Sequence, residues 1–227
     1  ARPRCTALKL VTYLLDPDAD HELASRLFLK GLALIYAVAF TSLAVQIDGL
    51  AGPHGILPFY QLLNGAFLED GYAAYWHLPT LFWFGAGDAA LQGAAIAGAV
   101  LALLLLLGLG RPRLILVWLF VLYLSLYQAG QIFTSFQWDY LLLESGFLAI
   151  FLVGTPTRLV VLIYHWLLFR LRFLSGYCKL DSGDPAWRDF TALDHYFETQ
   201  PLPHVGSWYA HQLPHAILKA GVGFTFF

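Results

Sequence analysis

The sequence predicts an all-α fold, a polytopic transmembrane helix bundle with five spans and the start of a sixth. Hydrophobic residues make up 59% of the 227 residues and charged residues only 12%, whereas soluble domains contain about 25% charged residues. The mean hydropathy is +0.63, and apolar runs of about 20 residues recur along the chain, as helices that cross a bilayer require. The length favours one bundle rather than several domains.

We predict a polar cytoplasmic arm at residues 1–26 and a transmembrane bundle at residues 27–227, continuing beyond the last residue given. The predicted spans are residues 27–47, 89–109, 114–133, 141–153 and 158–174, and a sixth begins at residue 216. The fourth is short for a crossing, so we expect it to begin earlier or to cross a thinned or protein-buried region. Outer loops are predicted at residues 48–88, with a short interfacial helix or re-entrant turn, and at residues 175–215.

Lysine and arginine predict the orientation, because they are enriched in cytoplasmic loops. Eight of the 13 basic residues fall on one predicted side, namely Arg2, Arg4, Lys9, Arg26, Lys30, Arg111, Arg113 and Arg158. The N-terminus is therefore predicted to be cytoplasmic, and the loop at residues 175–215 extracytoplasmic. That side is the periplasm for a bacterial inner-membrane protein and the lumen for a protein of the endoplasmic reticulum.

The segment from residue 171 to residue 214 concentrates polar and aromatic side chains directly after an apolar span. Asp184-Pro-Ala-Trp predicts a turn into a short helix, with aspartate as the N-cap and proline at the first helical position. We take this segment as the candidate surface for binding a client protein or a ligand. Its candidate residues are Asp184, Trp187, Arg188, His195, Glu198, Trp208 and His211.

Lys179 lies where the fifth span leaves the membrane, and two roles are open for it. Desolvation beside apolar helices disfavours a charged ammonium group, which would let a lysine act as a base near neutral pH. The alternative, which the residue chemistry favours, is that Lys179 pairs with Asp181 or Asp184 and anchors the helix at the lipid headgroups.

Charged residues inside spans are costly and are usually paired. Glu144 lies near the outer end of the fourth span, and Arg170 and Arg172 lie near the outer end of the fifth. Antiparallel neighbours would place these groups at similar depth, so we predict an intramembrane pair between Glu144 and one of the arginines. His165 raises the question of a haem or pigment ligand, but one histidine without a second at helical spacing favours a hydrogen bond between helices.

Several classes of function are disfavoured. The formal net charge is −2, and no basic run is present, so nucleic acid is not an expected partner. The two cysteines show no CxxC or Cys/His spacing, so we predict neither a redox motif nor a metal site, and no cofactor. The expected partners are membrane lipids and proteins on the extracytoplasmic face or in a larger membrane complex.

Three long motifs are similar to those of the lipase maturation factor family. They are VQIDGLAGPHGILP (residues 45–58), SFQWDYLLLESGFLAIF (residues 135–151) and SGDPAWRDFTALDHYFETQPLP (residues 182–203), the last followed by SWYAHQLP (residues 207–214). The resemblance implies a multi-pass membrane protein with a cytosolic N-terminus. In animal members it implies residence in the endoplasmic reticulum, help in folding and assembling homodimeric secreted lipases, and a large lumenal C-terminal domain.

The segment SGYCKLD with the following tryptophan (Ser175–Asp181 and Trp187) also resembles, more distantly, the membrane domain of vitamin K-dependent carboxylase. That resemblance would place Lys179 on the lysine that deprotonates the reduced quinone. The favoured hypothesis is a non-enzymatic folding or assembly factor of the lipase maturation type. The alternatives are a structural subunit of a larger membrane complex and a carboxylase-like enzyme that acts on a quinone or lipid with Lys179 as base.

Overall fold

A computed structural model describes residues 12–17, 21–200 and 204–226, and regular structure within these ranges is helical apart from an isolated bridge between Pro17 and Thr157. The predicted all-α class is confirmed. The helices are α1 (Glu22–Ala51), α2 (Phe59–Asp70), α3 (Ala74–His77), α4 (Asp88–Leu106), α5 (Pro112–Gly130), α6 (Gln137–Leu152), α7 (Arg158–Asp181), α8 (Pro185–Arg188), α9 (Ala192–Thr199), α10 (Val205–His211) and α11 (His215–Phe224).

Four of these helices are long and apolar enough to cross a membrane: α1, α4, α5 with its short 3-10 extension, and α7. The fourth predicted span corresponds to α6, which begins at Gln137, earlier than residue 141, as expected. Its 16 residues extend over about 24 Å, less than the roughly 30 Å hydrocarbon core of a bilayer. Helix α11 occupies the start of the predicted sixth segment.

Contacts between residues divide the chain into two compact units, Ala1–Val161 and Leu162–Phe227. In the first unit, α1 makes its most extensive contact with α4 and also packs against α5 and α6. Small residues allow the close approach. The α4 residue Gly98 lies against the Phe40 ring, and the α6 residue Gly146 lies against the Tyr36 hydroxyl, so closely that neither position has room for a Cβ atom.

Aromatic side chains fill the centre of the first unit. Tyr36, Phe40 and Tyr123 are almost completely buried, and the rings of Phe40 and Tyr123 meet edge to face with 5.5 Å between centroids. The Tyr123 hydroxyl donates a 2.6 Å hydrogen bond to the buried Asp139 carboxylate, and the Tyr36 hydroxyl donates to the Leu142 carbonyl at 3.3 Å. These bonds link α1 and α5 to α6 while satisfying polar groups that would be costly to bury alone.

The connection between α1 and α4, predicted as a loop, contains more helix than expected. Helix α2 occupies Phe59–Asp70, and the LFWF tetrapeptide forms a 3-10 turn at Leu81–Phe84, in keeping with the predicted short helix there. Phe59 and Phe82 are buried against one another edge to face. The Leu81 amide donates to the Ser125 hydroxyl at 3.0 Å, which fixes this segment to α5.

The second unit begins inside α7, and this helix continues beyond the predicted end of the fifth span. We expected the span to end at residue 174 and a loop to follow, but α7 continues to Asp181. No residue that terminates helices occurs in this stretch until Gly183, which has a φ of +73° and ends the helix region. Gly176 does not interrupt α7, because its Cα faces the Phe226 backbone, where a Cβ would approach the carbonyl oxygen to 3.0 Å.

Candidate functional site

The candidate site lies in the second unit, where α7 ends and the chain turns through α8. The predicted turn at Asp184 is confirmed: its carboxylate accepts a 2.9 Å hydrogen bond from the Ala186 amide, and Pro185 takes the first helical position. Arg188, at the end of α8, donates to the Leu180 carbonyl at 3.3 Å. This short helix is thereby held against the last turn of α7.

Lys179 has partners that the sequence analysis did not identify. Its Nζ donates a 2.8 Å hydrogen bond to the Thr225 carbonyl, just after α11. The same atom lies 5.1 Å from the centroid of the Trp187 ring and 5.8 Å from that of Phe226. A cation at a helix C-terminus satisfies carbonyl groups that lack helical partners. In the described part of the chain Lys179 therefore contacts Thr225 and two rings, rather than Asp181 or Asp184.

An open pocket of about 550 Å³ adjoins these rings. Its walls are almost entirely apolar and include Phe173, Tyr177, Trp187, Phe190 and Phe226. Phe226 packs edge to face against both Trp187 and Phe190, with centroids 6.3 Å and 6.0 Å away. Phe190 adopts a positive φ of 59°, uncommon for a side chain of this size, which helps to turn its ring towards Phe226.

The other candidate residues lie on α9, α10 and the start of α11. His211 Nε2 lies 3.0 Å from the Glu198 carboxylate, a contact between α10 and α9, and His215 lies 3.1 Å from Asp194. His195 is exposed on α9, and Trp208 is 62% exposed on α10, where its ring meets that of Tyr209 at 5.0 Å. Of the predicted binding residues, the structure thus brings Glu198 and His211 into contact, and Trp187 and Arg188 into one pocket.

The predicted intramembrane pair stays a prediction. Glu144 belongs to α6 in the first unit, whereas Arg170 and Arg172 lie on α7 in the second. The Arg172 guanidinium lies 5.8 Å from the centre of the Phe224 ring, a cation–π contact within the second unit. Its partner in this unit is therefore aromatic.

His165 lies on α7 and is exposed there. Across residues 12–17, 21–200 and 204–226, no three His, Cys, Asp or Glu side chains converge as a metal site would need. Cys178 is a free, exposed thiol on α7, and Cys5 lies outside the described residues. A role for His165 with a haem or pigment stays untested.

Sequence reasoning missed the contribution of residues 223–226 to this site. The apolar end, GFTFF, looked like the start of another span, and nothing in its spacing indicated that Thr225 and Phe226 would contact Lys179. The one usable signal was Gly223, a small residue that would allow close packing beside Phe226. It now lies in the pocket wall.

Known proteins resemble this chain over most of its length. Residues 23–227 match the lipase maturation factor transmembrane domain. Lipase maturation factor 2 of Xenopus laevis is 42% identical over 230 residues, which cover 92% of this chain and 32% of that protein. The human lipase maturation factor 2 is 40% identical over 92% of this chain and 33% of its own length.

Lipase maturation factor 1 of human is 35% identical over 82% of this chain and 36% of its own length. The chain thus spans about a third of the length of these relatives. No solved structure matches it. The agreement covers both units and all three motifs, so the chain belongs to the lipase maturation factor family.

Proposed function

We propose that this chain is the membrane portion of a factor that assists the folding or assembly of extracytoplasmic lipases. The observation that carries the proposal is the family match, which covers residues 23–227. The named relatives are lipase maturation factors. Their name describes an effect on other proteins, so the expected activity is recognition of a client rather than turnover of a substrate.

A surface suited to such a client lies on α9 and α10. Tyr196, Trp208 and Tyr209 are 49%, 62% and 64% exposed, and the contact between Glu198 and His211 joins the same two helices. Tyrosine and tryptophan contribute large contact areas at protein interfaces, and charged groups usually form the rim. We call these three aromatic residues the client surface. A partly folded secreted protein exposes apolar segments that can pack on such rings.

The orientation that supports this role has the N-terminus in the cytoplasm and the client surface outside. Basic residues near the start of α5 and at the start of α7, namely Arg111, Arg113 and Arg158, favour this arrangement. The compartment is then the lumen of the endoplasmic reticulum in a eukaryotic source and the periplasm in a bacterial one.

The test replaces the client surface in the full-length protein, expressed in cells that lack their own factor. Trp208→Ser with Tyr209→Ser should abolish capture of a newly made homodimeric lipase and reduce its secreted activity. The matched control is Tyr72→Ser with Trp76→Ser, a pair 82% and 87% exposed in the other predicted outer segment. Equal lipase secretion with both double variants would refute the proposed role of the client surface.

A second candidate function is the carboxylase-like enzyme with Lys179 as base, and the pocket beside Trp187 and Phe226 is the observation in its favour. The contacts of Lys179 favour a structural role instead. Its Nζ donates to the Thr225 carbonyl and lies over the Trp187 and Phe226 rings, so these contacts tie the end of α7 to the residues after α11. A base would have to leave the Thr225 carbonyl to accept a proton from a substrate.

A further inference from the structure

The pocket at the end of α7 combines apolar walls with a single charged side chain. Phe173, Tyr177, Phe190 and Phe226 supply aromatic walls, and among the lining residues that the structure describes only Arg188 carries a charge. An apolar pocket of about 550 Å³ is in the size range of sites for small apolar ligands. The shape and chemistry fit an amphipathic molecule rather than a polar metabolite.

Arg188 is available to an anion. Its hydrogen bond to the Leu180 carbonyl uses one of five N–H donors. Within the described ranges no carboxylate forms an ion pair with Arg188. Two acidic side chains nearby in the sequence have other partners: the Asp184 carboxylate caps α8, and the Asp194 carboxylate contacts the His215 ring. A guanidinium binds a phosphate group through two parallel hydrogen bonds, a geometry that lysine lacks.

The position of the pocket along α7 indicates where it lies in the bilayer. Helix α7 has 24 residues and is therefore about 36 Å long, longer than the roughly 30 Å hydrocarbon core. Its last turns, which carry Gly176, Tyr177 and Leu180 of the pocket wall, then reach the level of the lipid headgroups. An occupant can place its tail among the rings while its head meets Arg188.

An aromatic track leads to the pocket along one face of α7. Trp166, Phe169, Phe173 and Tyr177 stack in succession, with centroids 5.4, 5.5 and 6.4 Å apart. All four are between 53% and 60% exposed. Since the last two also line the pocket, a hydrocarbon chain lying along α7 has a continuous apolar path into it.

We propose that this pocket binds a membrane phospholipid with an anionic headgroup, its acyl chain among the aromatic walls and its phosphate on Arg188. The site is independent of the proposed lipase client. A bound lipid would stabilise the folded second unit, because Trp187 and Phe226 both line the pocket and contact Lys179.

The test uses the full-length protein in bilayers that contain phosphatidylglycerol or phosphatidylcholine with a photoactivatable diazirine in the acyl tail. Phosphatidylglycerol should label peptides from the end of α7 and from α11 about tenfold more than phosphatidylcholine at equal concentration, because both lipids carry the phosphate but the choline ammonium is repelled by the Arg188 guanidinium. Arg188→Gln should reduce labelling by phosphatidylglycerol to the level of phosphatidylcholine. Lys219→Gln, which removes an exposed cation on α11, should change nothing.

A second variant fills the pocket without disturbing the backbone. A Cβ at Gly223 would lie 3.6 Å from the Phe190 ring, an ordinary contact, so Gly223→Ala should fold and retain labelling. The larger Gly223→Leu should fill the pocket and abolish labelling by both lipids, and its circular dichroism checks that it is folded. Ala220→Leu adds the same bulk at an exposed position of α11 and should retain it. If labelling is insensitive to Arg188→Gln, the pocket does not select an anionic headgroup. If these peptides are not labelled, or if Gly223→Leu leaves their labelling unchanged, the pocket does not bind a lipid; these results are expected if a protein segment fills it.

Discussion

The first unit contains aromatic side chains that are almost completely buried, whereas no described aromatic side chain of the second unit is buried. Phe40, at the centre of the first unit, is 0% exposed, whereas Phe169 on α7 is 53% exposed. The most hydrophobic window of the α5 span is 50% buried, and that of α7 only 17%. The first unit therefore holds its shape by packing between helices. The second presents its rings outward, which suits contact with lipid or with another protein.

The same substitution in both units should give very different results. Phe40→Ala removes a fully buried ring that contacts Tyr36 and Tyr123, and we expect it to lower the free energy of unfolding by about 3–5 kcal/mol. Phe169→Ala should cost about 1 kcal/mol or less, mainly from lost ring stacking. Unfolding by a denaturing detergent in mixed micelles measures the free energy of unfolding of each variant. Equal losses would contradict the difference in packing.

Adding one methyl group tests the packing of the first unit from the opposite direction. Gly98→Ala places a Cβ against the Phe40 ring, so we expect it to destabilise the protein by about 1–3 kcal/mol through overpacking. Gly31→Ala in α1 is the matched control, because nothing lies within 4 Å of its added Cβ. There the higher helix propensity of alanine should stabilise the helix by up to about 1 kcal/mol. A neutral Gly98→Ala would show that α1 and α4 approach less closely than described.

In the second unit the largest local effect is expected at Lys179. Lys179→Met keeps an aliphatic stem but removes the donor to the Thr225 carbonyl, which should cost about 1.5–3 kcal/mol, the usual range for a bond from a charged group. The loss should appear as faster hydrogen exchange at Thr225 and Phe226, with α1 and α4 unaffected. Lys219→Met, at an exposed position, is the control. Unchanged exchange at residues 225 and 226 would show that Lys179 does not hold them.

Hydropathy was sufficient to predict the class of the fold and the positions of the long helices, because a segment that crosses lipid must satisfy its backbone internally and expose apolar side chains. Local signals also predicted the cap at Asp184 and the helical start before residue 141. They failed where tertiary contacts decide the structure. Residues 175–181 look polar enough for a loop, yet α7 continues through them because Gly176 and Lys179 pack against residues 225 and 226.

The contacts within the candidate site could also not be predicted from local sequence signals. The candidate residues Trp187, Arg188, Glu198 and His211 were selected for their chemistry, and no contact among them was predicted. The partners of Lys179 could not be predicted either, because Thr225 is 46 residues away and carries no sequence pattern that indicates a contact. Likewise, the bond between Tyr123 and Asp139 depends on how α5 and α6 face each other, which helical periodicity alone does not determine.

The sidedness of the second unit is the central claim, since the client surface must face the compartment in which lipases fold. It can be measured on full-length protein in which the natural cysteines, including Cys5 and Cys178, are replaced by serine. One cysteine is then introduced at either of two exposed positions, Asp189→Cys after α8 or Arg111→Cys before α5. A membrane-impermeant maleimide applied to the extracytoplasmic side should label the first variant and not the second. Labelling of both from the same side would contradict the account.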